Sequence, residues 1–508
     1  MSAQKYFTWD NHNFPHPADM QNHISSHGRE MVTIVDPHMK RDAGWPVHTN
    51  ALEKGYYVKT ASDGVYEGWC WPGSVSYLDF LDPTVRQYWA EQFALSAYPG
   101  STSHLFTWND MNEPSVFNGP EVTMPKDCRH LHSSVEHRDV HNVYGHYNHM
   151  STAAGLKQRD SKRPFVLTRS FYAGSQRYSA VWTGDNAADW GHLAIATPML
   201  LSLNVAGITF SGADVGGFFK DPDAELLTRW YQTAAYQPFF RGHAHIETKR
   251  REPWLFGDPY TGHIKAAIKA RYTLLPYIYT LFYQSTTTGM PVMRPMWVDF
   301  PQDEATFAMD SQFLLGSALL VVPVTSAGAR SVSAYLPAGV WYDYHTLQTV
   351  KAGQHTVPVT LSSIPVYYRG GAVVVRKDRA RRSSRLMAHD PYTVVVAADS
   401  SFNAKGRLYV DDGESFEYQQ GQFAYRELEL LAGGELRASR VKGSAGVLKS
   451  EVRVERIVLL GVPGVSSATV AVNGGAGRKL EASRAADGSF VIRKPDLPIT
   501  DNWTITLQ

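Results

Sequence analysis

At 508 residues the chain is too long for one ordinary domain and predicts two to four. A net charge of +1, from 49 basic and 48 acidic side chains, gives no footing for nucleic acid or an acidic surface. No apolar run approaches the roughly 18 residues that a membrane span requires, and neither end reads as a signal peptide or retrieval tetrapeptide.

Taken in order, the segment 1–30 is irregular, with a helical pattern over 18–27. Met31-Val32-Thr33-Ile34-Val35 is an apolar run closed by Asp36-Pro37, the layout of a buried parallel strand ending on a polar residue. A Gly-rich stretch holds Trp69-Cys70-Trp71, and a helical segment covers 83–95. Leu105-Phe106-Thr107-Trp108 then runs into the polar cluster Asn109, Asp110, Asn112 and Glu113, stopped by Pro114. Further apolar runs end on Arg169 (165–170), on Asp185 (180–186), before Asp214 (205–210) and on His243 (238–243). Helical periodicity separates them over 193–203, 225–236 and 264–282, the last with an expected kink at Pro276. Strands alternating with helices, with functional side chains at strand ends, predict a (β/α) barrel. Such a barrel closes with eight strands, and six are readable.

From about 290 the pattern turns to short alternating strands punctuated by Pro and Gly, at 318–324, 332–336, 355–361 and 372–375. A basic run over 376–385 reads as a solvated linker. A second all-β set covers 392–507. Cys70 and Cys128 are open between a disulfide and two buried thiols, and the sequon at Asn502 is weak evidence for a secretory route.

Trp108-Asn109-Asp110-Met111-Asn112-Glu113-Pro114-Ser115 resembles the nucleophile signature of glycoside hydrolase family 31, the retaining α-glucosidases. The neighbouring Val116-Phe117-Asn118-Gly119-Pro120-Glu121 is similar to its branch of glucosidase II catalytic α subunits, which trim glucose from N-glycans. Trp182-Thr183-Gly184-Asp185-Asn186 resembles the acid/base motif of the family. The resemblance implies an α/β fold: a (β/α)8 TIM-type barrel over 1–289, incomplete at its N-terminal side, then two all-β sandwiches. The proximal sandwich would span 290–376, and a linker with the distal sandwich 377–508. Lys5-Tyr6-Phe7-Thr8-Trp9-Asp10 resembles the segment after the second barrel strand, which places two strands and a pocket acid upstream.

Retaining hydrolysis needs two carboxyl groups roughly 5 Å apart, an ionised nucleophile and a protonated acid raised by burial or a like charge. By resemblance, Asp110 is the nucleophile and Asp185 the acid/base. Arg169 and His243 would bond sugar hydroxyls. Trp71, Trp108, Met111, Trp182 and Phe218 would wall the glucose site, with Asp36 and Asp214 behind them. Each has a plainer reading: Arg169 as an ion pair supporting the carboxylates, the aromatics as core, and His243 with His245 as a metal pair lacking a third ligand. His130, His132, His137, His141, His146 and His149 read as structural, although His137 and His141 have an i,i+4 spacing that zinc can use. No metal or cofactor is expected. The resemblance further implies an endoplasmic reticulum lumen location and a non-catalytic β subunit. Rival readings are another family 31 specificity, such as a lysosomal-type α-glucosidase or an α-xylosidase, and an inactive sugar-binding remnant with open barrel edges at 31–35 and 239–241.

Overall fold

The computed structural model describes all residues, 1–508. The chain divides into two compact units: 1–182 with 414–416, and 183–413 with 417–508. No helix is long and apolar enough to cross a membrane.

In the first unit four parallel strands lie side by side in sequence order: Met31–Ile34, Leu105–Asn109, Val166–Thr168 and Ala180–Trp182. Ile34 is opposite Trp108, Asn109 opposite Thr168, and Thr168 opposite Val181. The carboxyl ends are therefore level, so Asp36, Asp110 and Arg169 leave the sheet along one edge. Helices Pro83–Glu91 and His137–Arg159 are crossover elements. Asp82 caps the first by accepting from the Thr84 N–H, and Trp89 Nε1 donates to Thr152 Oγ1 of the second at 2.9 Å. Phe80, Trp89 and Tyr144 meet edge to face in the core beneath them. Gly145 brings the second helix against the nucleophile loop: a Cβ there would lie 2.4 Å from the Asn112 carbonyl oxygen.

Over residues 183–288, in the second unit, the sequence expectations need correction at three places. The strand expected at 205–210 is the end of helix Trp190–Val205 followed by a turn, and only Ser211–Gly212 is extended. That helix is apolar on all sides, so its periodicity gives no boundary against the apolar residues that follow. The strand expected at 238–243 is reduced to one parallel bridge, Asp214 with Arg241. Phe239 N–H still donates to Ser211 O (3.0 Å) and Val215 N–H to Arg241 O (2.9 Å), but Pro238 has no N–H to extend the ladder. The third place is Pro276, which breaks the long helix instead of kinking it, giving Tyr260–Thr273 and Leu275–Thr288.

Beyond these helices a six-stranded antiparallel sheet packs over the two-stranded Ser331–Leu336/Gly353–Pro358 ribbon, with Leu314, Leu320, Leu336 and Trp341 buried among them. The distal sandwich is corrected to a closed ring of ten strands running from Ala372–Arg376 to Ala404–Val410. Ala372–Arg376, assigned by pattern to the proximal sandwich, pairs antiparallel with Tyr392–Ala397 and parallel with Ala404–Val410. Closure leaves no free edge, which strand patterning alone does not reveal. The basic run is solvated at Arg379, Arg381, Arg382 and Arg385, as its composition predicts, but it is anchored at its start. Lys377 is buried, donating to the Met387 and Ala388 carbonyls at 2.9 and 2.6 Å, and Arg381 pairs with Asp390.

Candidate active site

The nucleophile loop is fixed from both sides. Asn109 Nδ2 donates to Val35 O (2.7 Å), Val35 N–H to Trp108 O (2.8 Å) and Arg169 N–H to Asn109 O (3.2 Å). Met111 takes φ +59°, which turns the chain off the strand, and its N–H donates to Asp110 Oδ1 at 2.8 Å. Asn112 is fully buried. Its Nδ2 donates to Thr168 Oγ1 (2.9 Å) and Asn148 Oδ1 (3.2 Å), while its Oδ1 accepts from Ser170 N–H (2.9 Å). Asn112→Ala would leave Thr168 and Ser170 each short of a partner. We expect a loss of about 1–3 kcal/mol in unfolding free energy, read from the urea midpoint.

Arg169 ties this loop together. Its Nη1 lies 3.1 Å from Asp110 Oδ1, and its Nε and Nη2 reach Glu113 Oε1 and Oε2 at 2.8 and 3.1 Å. Two carboxylates thus share one guanidinium, with the bidentate face on Glu113. The ion-pair reading of Arg169 is the contact seen. Asp110 keeps 14% of its side chain exposed, open to a substrate while its charge is held by Arg169.

Asp36 is a different kind of acid. It is almost fully buried, and Tyr6 Oη donates to its Oδ2 at 2.7 Å; the same hydroxyl is 2.7 Å from His38 Nε2. Burial first, then the Asp110 charge, push the Asp36 carboxyl well above the usual range. His38 is held neutral, lowered to about 3 by burial. Two neighbouring acids with environments this different can be in opposite protonation states.

Among the apolar residues, Trp108 and Trp182 meet edge to face (5.5 Å, 78°), and Met111 is buried. Trp71 projects into solvent, 57% exposed, with its ring against Phe117 at 4.8 Å. Core filler is not its role.

In the second unit, Asp185 is exposed. Phe218 and His243 stack face to face (5.3 Å, 21°), and burial lowers His243 to about 4, leaving a neutral imidazole. Asp214 is buried, and its Oδ1 accepts from Arg241 Nε and Nη2 at 3.0 and 2.7 Å.

The structure thus joins Asp36, Trp108, Asp110, Met111, Arg169 and Trp182 around one edge of the first unit. Phe218, His243 and Asp214 group in the second.

Sequence reasoning missed the roles of Glu113, Tyr6, His38 and Asn186. Glu113 and Asn186 carried a signal, each lying inside a quoted motif. The other histidines are used in hydrogen bonds: Asp79 Oδ1 to His130 Nδ1 (2.7 Å), His130 to His137 (3.0 Å) and His137 to His141 (2.8 Å). His146 and His149 share Ser175 Oγ, each at 2.9 Å. Cys70 and Cys128 are free and buried, each thiol pushed up to about 12 by burial. No three His, Cys, Asp or Glu side chains are arranged to hold a metal ion.

Residues 1–281 match the glycosyl hydrolases family 31 TIM-barrel domain, and residues 289–374 match the family 31 C-terminal domain. The chain belongs to glycosyl hydrolase family 31. Within that family it is 52% identical to neutral alpha-glucosidase AB of Dictyostelium discoideum, over 100% of this chain and 54% of the relative. It superposes on a glucosidase II alpha subunit with Glc1Man2 bound, at 42% identity and a TM-score of 0.97, covering 100% of this chain and 57% of the other. It also superposes on a heterodimeric ER glucosidase II complex of catalytic subunit and regulatory-subunit binding domain, at 43% identity and TM-score 0.96, with the same coverages of 100% and 57%. The chain therefore spans about half the length of the curated family 31 relatives it matches.

Proposed function

We propose that the protein is a retaining α-glucosidase that removes terminal α-linked glucose from N-glycan oligosaccharides. The observation that carries this reading is the Asp110 carboxylate, mostly buried at a strand end and charge-paired with Arg169, in a family 31 chain. In the first step Asp110 attacks the anomeric carbon, forming a glycosyl ester, while Asp185 gives its proton to the departing oxygen. In the second, Asp185 takes a proton from water as the water's oxygen displaces Asp110, and α-glucose leaves.

The apolar walls would come from Trp71, Trp108, Met111, Trp182 and Phe218. Arg169 and His243 would hold sugar hydroxyls, with Asp36 and Asp214 behind them. The domain bearing both acids (1–289) would be one (β/α) barrel, followed by a proximal domain that ends before Ala372 and by the distal ring that Ala372–Arg376 opens. Likeness to the heterodimeric ER complex supports an endoplasmic reticulum lumen location and a regulatory β subunit as partner.

Proton NMR of the first minutes of hydrolysis tests the mechanism. The α anomer of glucose should appear before mutarotation. Initial β-glucose would mean inversion and a carboxyl spacing nearer 6.5–9.5 Å.

A further inference from the structure

Asp185 is exposed, yet the loop that carries it is fastened to a neighbouring turn by a dense set of bonds. The next residue, Asn186, accepts at its carbonyl oxygen from the N–H groups of Phe218 (2.8 Å) and Phe219 (2.9 Å). Its Oδ1 also accepts from Phe218 N–H (3.0 Å), and its Nδ2 donates to Asp214 O (3.1 Å). Ala188 N–H donates to Phe219 O at 2.8 Å. The two chains run so close that a Cβ on Gly217, which sits at φ +81°, would lie 2.3 Å from the Ala188 nitrogen. The 186–188 segment therefore goes where the 214–220 turn goes.

The 216–220 part of that turn is held by Arg251. Arg251 Nη1 donates to Gly216 O (3.2 Å) and Gly217 O (2.6 Å), and its Nη2 donates to Lys220 O. Its carboxylate neighbour, Asp221, is 3.7 Å away, beyond hydrogen-bond reach, so these donors serve backbone carbonyls. The side chain is 10% exposed. A planar fork spans three carbonyls on two sides, which a lysine ammonium on a flexible stem does not reproduce. Lys249 N–H fastens the same strap to Asp221 Oδ1 at 2.8 Å.

We propose that Arg251 is a positioning residue for Asp185, setting the acid's place through the 214–220 turn and Asn186. The proposal rests on the reading of Asp185 as acid/base. A displaced acid slows only those substrates whose leaving group needs a proton, and kcat/KM reports the bond-breaking step without the later hydrolysis of the ester.

In Arg251→Gln, kcat/KM for phenyl α-glucoside should fall about 10- to 100-fold, while that for α-glucosyl fluoride should fall less than about 3-fold. Arg251→Lys should fall between parent and Arg251→Gln, and it serves as the variant read if the glutamine protein does not fold. Hydrogen exchange should quicken in peptides covering 183–189 and 214–221 together.

Equal losses on both substrates, no loss, or unchanged exchange in 183–189 would overturn the latch. Asp185→Ala, run beside them, separates the two claims. If it shows no leaving-group dependence, the acid/base reading falls, and the exchange rates alone still judge whether Arg251 holds the loop.

Discussion

Asp110→Asn is expected to lower hydrolysis of an aryl α-glucoside on the order of 10^4-fold and to leave the fold in place. The substitution keeps the shape of the side chain and removes its charge. An amide oxygen can still accept from Met111 N–H and face Arg169 Nη1, the two contacts made by Asp110 Oδ1. Arg169 is not left as an unpaired cation, because Glu113 holds it bidentately at 2.8 and 3.1 Å. A stability change within about 1 kcal/mol follows. What the amide cannot do is form the glycosyl ester, so the chemical step loses its nucleophile. Rates on 4-nitrophenyl α-glucoside and a thermal melt check both halves. A near-parental rate would remove Asp110 from the role, and a collapsed melt would mean that its charge serves the fold instead.

The site was legible where its residues are contiguous. The 105–113 string carries a buried strand, a stop at Pro114 and a cluster of acids and amides, and all of them meet at one strand end. The strands at 31–34, 105–109, 166–168 and 180–182 were readable because each is a short apolar run ending in a polar residue. The failures at 205–210 and 238–243 have one cause. There the extended backbone is two residues or a single bridge, so too few side chains alternate to leave a period. The closed distal ring depends on which edges meet, as with Ala372 opposite Lys405, and that is non-local information. Arg251 was illegible for a chemical reason. Its partners are backbone carbonyls, which have no signature in sequence. Tyr6 lies 30 positions from Asp36 and 32 from His38, its two contacts, beyond any local pattern.

The second large effect belongs to Asp185, and its signature is which substrates fail and what rescues them. Asp185→Ala should lose about 10²- to 10⁴-fold on phenyl α-glucoside, the range supplied by a general acid, and far less on a leaving group that departs without a proton. The side chain is exposed, so its removal opens no cavity. The ester on Asp110 then persists, because the base that would activate water is gone. Azide needs no base. It should enter the vacated space, attack the anomeric carbon and displace Asp110, giving α-glucosyl azide with net retention and a recovered turnover on the activated substrate. In Asp110→Ala the same anion would occupy the nucleophile's place and react once, from the opposite face, giving β-glucosyl azide. The configuration of the azide product therefore assigns the two roles separately. An α product from the Asp110 variant, or a β product from the Asp185 variant, would exchange them. No azide product from either would remove double displacement at this pair of acids.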